Sequence, residues 1–479
     1  MARQPTCCAQ AQAGKKVVVS DKTDLLLIRD AKSLPPEFAA DIVLQVVEDG
    51  TSLTAAQKIK LLANAFDDAA QDQDDVQHRP WGSSVEENPE GLHAIASLVT
   101  RLDRISQQSR AVEDIARIDP KFARVKLRMI ALPRFDPLPC EAYWTYLPDA
   151  YYEAVATVVA TSFSAAEIAG GRRGELLASV VNRVVSHSQL PPVTRLISAS
   201  DLSSAELTNI IPQYIYALDS LRGDEHSFNA VSEQSVREFT ALVARLSSRG
   251  TGAVPLLSSF RSYLVANSKT LPCGPLKSQD NGRLPYAVQE FNDQFSDRLK
   301  AADLTVINLD EIKGGTKDSP PVDSEPSRWQ SKEYSDLLFS VQKLPYISAA
   351  NGAIGTDYQD YLLRLSDWSN QSEPETEFFQ QKSNLFDGVI ERLPPSVMRR
   401  NALAAFVKFL EQNSYEQVSR VDWFVYVRKL FQDNTTSAER YEVIDALADS
   451  SDPVLNLYGR VESWKRAADT VHSRHKRVQ

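Results

Sequence analysis

The chain has 479 residues and carries 53 basic and 63 acidic side chains, which gives a formal net charge of −10. Because an acidic surface repels phosphate groups and anionic lipids, neither nucleic acid nor a membrane surface is an expected partner. No run of the sequence approaches the ~18–20 apolar residues that a membrane span needs. Only 18 residues are glycine, roughly half the usual ~7%. This scarcity disfavours all-β folds with many tight turns and glycine-rich nucleotide loops.

Residues 1–30 form an N-terminal extension that supports two hypotheses. Ala11-Gln12-Ala13 is the small-x-small pattern that a signal peptidase cleaves, but the apolar segment that should precede it is missing. The extension is therefore either the remnant of an export signal or an alanine-rich tail. The first hypothesis predicts a periplasmic or extracellular protein, and the second leaves a cytoplasmic location open.

The four cysteines bear on the same question. Cleavage after Ala13 would remove Cys7 and Cys8 and leave Cys140 and Cys273, each of which follows a proline. In an exported chain these two cysteines are disulfide candidates, whereas in the cytoplasm they would be free thiols. The cysteine spacing is not that of a zinc site, so no metal or other cofactor is predicted.

From residue 31 onward the dominant pattern is helical. Apolar residues recur at spacings of three and four, which places each set on one side of a helix. Examples in chain order are Ile59, Leu62, Ala63 and Phe66; Ile95, Leu98, Leu102 and Ile105; Val236, Phe239, Val243 and Leu246; and Leu403, Phe406, Val407 and Leu410. The sequence predicts an all-α fold of irregularly stacked antiparallel helix pairs, either solenoid-like or a helical bundle.

Proline and glycine mark one boundary in this helical pattern. Six prolines and four glycines lie between Leu271 and Ser327, with polar residues among them, a composition typical of linkers. We predict two unequal helical domains, a larger one at 31–271 and a smaller one at 328–479. The segment 272–327 is predicted to be a connector that contains one helix.

An acidic cluster supplies the first candidate site. Asp67, Asp68 and Asp72 form a DDxxxD motif, and paired carboxylates near a third could hold Mg²⁺ against a diphosphate. An all-helical chain with this motif resembles the class I terpene and prenyl synthases, although the acidic end of their second motif is missing at 182–190. The alternative interpretation is the solvated end of an amphipathic helix.

Two arginines form a second candidate. Arg172 and Arg173 follow Gly170 and Gly171 at a predicted helix start, where they could bind a carboxylate or phosphate. The alternative is a simple glycine break between two helices.

Aromatic residues form the third candidate. Tyr143, Trp144 and Tyr146 lie between Pro139 and Pro148, so most of this segment is predicted to fall outside a regular helix. Stiff aromatic side chains offer contact area at low entropic cost. We therefore predict that these three residues form a binding surface for a protein or peptide, with a glycan as a further possibility.

The function that these patterns favour is non-catalytic binding or scaffolding of another macromolecule. Six histidines occur, none in an HExxH motif, and no serine lies in GxSxG. Stacked helix pairs naturally expose long grooves for partners. The alternative is an all-helical enzyme. It would carry out magnesium-dependent diphosphate chemistry at Asp67, Asp68 and Asp72, or act on carbohydrate as an α/α-toroid with a carboxylate pair across a cavity.

Overall fold

The computed structural model describes residues 23–50, 52–72, 74–81, 89–139, 142–223, 225–268, 283–308, 331–344, 356–369, 374–431 and 437–476. Helices contain 76% of these residues, so the all-α prediction is confirmed. The possible signal remnant and all four cysteines lie outside the described residues. Export and the Cys140–Cys273 disulfide therefore stay predictions.

The helices follow one another along the chain with short connections. Those before residue 302 are α1 (Thr23–Ala31), α2 (Pro36–Asp49), α3 (Ala55–Ala69), α4 (Pro89–Thr100), α5 (Arg104–Ile118), α6 (Pro120–Met129), α7 (Asp149–Thr161), α8 (Ala165–Ala169), α9 (Arg172–Val181), α10 (Leu190–Ala199), α11 (Ser204–Ser220), α12 (Glu225–Ser248), α13 (Val254–Ser268) and α14 (Arg283–Ala301). Those after it are α15 (Lys332–Lys343), α16 (Thr356–Asp367), α17 (Glu375–Arg392), α18 (Val397–Gln412), α19 (Arg420–Leu430), α20 (Ser437–Ala448) and α21 (Pro453–Lys476). Two short strands, β1 (His78–Pro80) and β2 (Trp144–Tyr146), pair with each other as an antiparallel ribbon.

Local sequence signals explain where several helices begin. Thr54 and Ser203 each accept a hydrogen bond from the third backbone N–H of the helix that follows. Gln57 and Glu206 at those third positions reach back to the N-cap backbone, which completes a capping box. Pro36 begins α2, where its missing N–H would have no intrahelical partner in any case.

Helix α2 is buried on nearly every side. It packs against α1, α3, α5 and α21, and its buried residues run without interruption from Glu37 to Val47. Phe38 lies in an aromatic box whose ring centroids are 4.6 to 6.4 Å from their neighbours, formed by Tyr415, Trp423, Phe424 and Tyr458. An all-round buried helix of this kind lies at the centre of a fold.

Asp41 on α2 holds helices from opposite ends of the chain together. Its Oδ2 accepts hydrogen bonds from the Tyr458 hydroxyl at 2.6 Å and from Arg428 Nη2 at 2.8 Å, and Arg110 Nη1 lies 3.3 Å from Oδ1. Burial alone would raise the pKa of Asp41, but Arg428 and Arg110 outweigh it and hold the pKa below its ordinary value. Asp41 is therefore a buried anion stabilised by two cations.

The described residues of both predicted domains contribute to one continuous hydrophobic core. Helix α2, from the predicted larger domain, contacts the C-terminal α21, and α4 packs against α19. The boundaries at 271 and 328 stay a prediction. None of the helices in the described ranges is long and apolar enough to cross a lipid bilayer.

Replacing Asp41 tests whether this buried carboxylate joins the two ends of the chain. We expect Asp41→Asn to lower the free energy of unfolding by about 3 kcal/mol, because it leaves Arg428 with an uncompensated, largely buried charge. Urea denaturation measures the change. Asp30→Asn is the matched control, since Asp30 pairs with Arg460 at 2.8 Å in a more exposed position and its loss should cost less than about 1 kcal/mol. Equal losses in the two variants would contradict the assignment.

Candidate functional site

The aromatic segment predicted from the sequence forms one strand of the two-stranded ribbon. In the register of this ribbon His78 faces Tyr146, Arg79 faces Thr145 and Pro80 faces Trp144. We call β1, β2 and the adjacent Tyr143, with their side chains, the aromatic ribbon. Tyr143, Trp144 and Tyr146 are all half-buried, so each residue keeps part of its surface exposed to solvent.

Hydrogen bonds fix the backbone of the aromatic ribbon on both sides. The His226 ring shares a hydrogen bond of 3.0 Å with the Trp144 carbonyl, and the His78 N–H donates to Ser97 Oγ at 3.1 Å. At its ends, Trp81 N–H donates to the Tyr143 carbonyl at 2.8 Å, and the buried Thr145 hydroxyl lies 3.1 Å from Ser188 Oγ. The half-exposed rings are therefore held on a rigid support.

The rings of the aromatic ribbon continue as a row to Phe135, which lies between α6 and α7, and to His93 on α4. Tyr146 contacts Phe135 and Trp144 edge to face, at centroid distances of 5.2 and 5.3 Å. Trp144 stacks on His78 at 4.0 Å, and His78 lies 6.0 Å from His93 on α4. Sequence reasoning missed both histidines, because no local spacing links residue 78 to residue 93.

The two histidines have opposite electrostatic environments. Burial, with a smaller effect from His93, lowers the pKa of His78 to about 4. Burial also acts against the charged form of His93, but Asp422 on α19 lies 3.0 Å away and raises the pKa of His93 above its ordinary value. His93 thereby connects the row of rings to the C-terminal helices.

The acidic motif does not form a compact cluster. Helix α3 ends at Ala69, so Asp72 lies beyond it, whereas Asp67 is exposed and pairs with Lys126 at 2.7 Å. Asp72 lines a cavity of about 420 Å³ with Glu37 and Arg420. Within the described residues, no group of three histidine, cysteine, aspartate or glutamate side chains is placed to hold a metal ion. The geometry gives no support to magnesium chemistry at Asp67, Asp68 and Asp72.

The two arginines at the start of α9 have separate environments. Arg173 is largely buried and donates two hydrogen bonds of 2.8 Å to the carboxylate of Glu206, and a third to the Asp201 carbonyl. Arg172 is exposed. Gly171 has a φ of 80°, the left-handed conformation that glycine adopts most readily. Arg173 therefore joins α9 to α11 through an internal ion pair.

A polar cavity that sequence reasoning missed lies between α2, α4, α5, α7 and α19. Its volume is about 280 Å³, close to the lower limit of the ~300–1,000 Å³ typical of small-ligand sites. The polar side chains that line this polar cavity include Thr100, Gln107, Ser109, Glu113, Glu153 and Arg428. Asp41 and Arg110 complete its charged wall.

Several buried polar atoms of the polar cavity have no hydrogen-bond partner in the described part of the chain. They are Thr100 Oγ1, Gln107 Oε1, Ser109 Oγ and Arg428 Nε. Thr100 and Gln107 are 2% exposed and Ser109 is 1% exposed. Because an unpaired buried polar group costs about 1–3 kcal/mol, these atoms require partners from outside the chain, either ordered water or a bound molecule.

Glu113 and Glu153 form a like-charge pair at the cavity. Burial, with the charges of Glu153 and Asp114, raises the pKa of Glu113 to about 7. Neither Glu113 nor Glu153 makes an ion pair with a described basic residue. This is the kind of carboxylate pair that the carbohydrate-enzyme alternative requires, but the residues that line the cavity include no aromatic ring on which a sugar could stack.

Comparison with known proteins adds no assignment to this geometry. No protein-family model matches the chain, and no curated protein matches it significantly.

The raised pKa of Glu113 predicts a stability that depends on pH. A carboxyl group whose pKa rises from 4.5 to about 7 on folding makes the folded state lose stability as the pH rises through that window. We expect Glu113→Gln to raise the free energy of unfolding at about pH 8 and to change it little at about pH 4. Urea denaturation at both pH values measures this difference. Glu416→Gln, outside the polar cavity, is the control, and an equal gain at both pH values would contradict the electrostatic cause.

Proposed function

We propose that this protein is a non-catalytic binding protein that engages another protein through the aromatic ribbon. The observation that carries the proposal is the rigid support of three half-exposed aromatic side chains, Tyr143, Trp144 and Tyr146. Side chains that are ordered before binding lose little conformational entropy when a partner covers them. Tyrosine and tryptophan are also the residues that most often dominate binding energy at protein interfaces.

The surroundings of Trp144 favour a peptide segment over a glycan as the partner. His78 stacks on Trp144 at 4.0 Å and so covers one face of the indole. A sugar ring stacks on an open aromatic face, whereas a peptide also contacts ring edges and phenol hydroxyl groups. The aromatic ribbon offers the second kind of contact, because Tyr146 lies edge to face against the indole at 5.3 Å and Tyr143 directly precedes Trp144 in the chain.

A selection experiment tests this proposal on the full-length chain. Peptides enriched from a random display library would be measured by fluorescence polarisation against the wild type and Tyr143→Ala. We expect Tyr143→Ala to weaken binding by about 30-fold, the equivalent of a ~2 kcal/mol hot spot, and to leave the melting temperature nearly unchanged. Trp144→Ala should weaken binding too, but it should also lower stability, because its stacking on His78 is lost.

The control is Tyr216→Ala, since Tyr216 on α11 is 69% exposed and lies outside the aromatic ribbon. Its peptide affinity should equal that of the wild type. The proposal fails if no peptide is enriched, or if the enriched peptides bind Tyr143→Ala as tightly as the wild type.

A further inference from the structure

We propose that the polar cavity binds a small zwitterion, a molecule of amino-acid size with one ammonium and one carboxylate group. The site is separate from the aromatic ribbon, so this inference does not depend on the proposed function. The inference follows from which polar and charged groups of the cavity wall already have a hydrogen-bond or ion-pair partner and which do not.

The unpaired donors in the cavity wall fit a carboxylate. Arg428 Nη2 donates to Asp41, while its Nε has no described partner. The hydroxyls of Thr100 and Ser109, both almost completely buried, are free to donate as well. One guanidinium N–H and two hydroxyls together can satisfy the lone pairs of a carboxylate, and hydrogen bonds to a charged acceptor are the stronger kind.

The acceptors in the cavity wall fit an ammonium group. The positive charges of Arg110 and Arg428 are already balanced by ion pairs with Asp41 and with Glu48, whose carboxylate lies 2.7 Å from Arg110 Nη2. Glu113 and the exposed Glu153 repel each other, and the charges of Arg117 and Arg101 act against this effect without keeping the pKa of Glu113 at its ordinary value.

The Gln107 side chain adds a further unpaired acceptor to the cavity wall. Its Nε2 donates to the Glu37 carbonyl at 2.7 Å, which leaves its Oε1 unpaired in the described part of the chain. An ammonium group beside Glu113 would relieve the repulsion between Glu113 and Glu153.

A neutral polyol matches these groups less well. Its hydroxyls could pair with the same polar atoms, but it would leave the repulsion between Glu113 and Glu153 in place. A simple anion would add a third negative charge beside them, and a simple cation would leave the Arg428 Nε–H and the two hydroxyls without an acceptor. A zwitterion supplies an acceptor for the unpaired donors and a positive charge for the two carboxylates at once.

Calorimetric titration of the full-length chain tests this inference. The common L-α-amino acids would be titrated singly, and the tightest binder would be compared with its amide, which lacks the carboxylate, and its N-acetyl form, which lacks the ammonium. We expect one or more amino acids to bind saturably, with each analogue at least about tenfold weaker. Glu113→Gln and Thr100→Val should each weaken binding by about tenfold or more.

Glu416→Gln is the matched control, because Glu416 lines the separate cavity of about 420 Å³ beside Asp72. This variant should bind the amino acid as the wild type does. Melting curves of all variants exclude unfolding as the cause of any loss. The inference is overturned if no amino acid binds at about 10 mM, which would leave a cavity occupied by water only. It is also overturned if an analogue or glucose binds as tightly as the amino acid, or if Glu113→Gln leaves binding unchanged.

Discussion

The architecture depends on the burial of one charged group, Asp41, in the middle of α2. A carboxylate can remain ionised so far from solvent only when cations and hydrogen-bond donors surround it. Its partners Arg110, Arg428 and Tyr458 belong to three helices that are far apart in the sequence. Folding must therefore bring α5, α19 and α21 onto α2 together. If one of these helices does not pack there, the buried carboxylate of Asp41 lacks one of its partners.

The polar cavity is a consequence of this requirement. The first turns of helix α5 are buried all round although they are polar, with Ser106, Gln107, Gln108 and Ser109 all inside the fold. Apolar residues at those positions would fill the space next to α2 and pack more favourably. The fold instead retains unpaired polar atoms and a carboxyl group with a pKa of about 7. Stability given up in this way is typical of a binding site.

The sequence predicts the helices well and the sites poorly, for a physical reason. Helical stripes such as Leu62 and Phe66 depend on neighbours three or four residues away, so the pattern is local. The ribbon pairs His78 with Tyr146, and the contact of His93 with Asp422 spans more than three hundred residues. Tyr143, Trp144 and Tyr146 stood out because prolines flank them. Ser109 and Glu113 carry no local signal of this kind, since only the packed fold shows that they line a cavity.

The two candidate sites are connected by one pair of helices. Helices α4 and α19 pack against each other; His93 and Asp422 meet beside the aromatic ribbon, while Thr100 and Arg428 line the polar cavity. Six or seven residues separate the two positions on each helix, which is two turns or about 10 Å. The polar cavity and the aromatic ribbon therefore share the same α4–α19 packing, and a substitution that separates these two helices would disturb the walls of both sites.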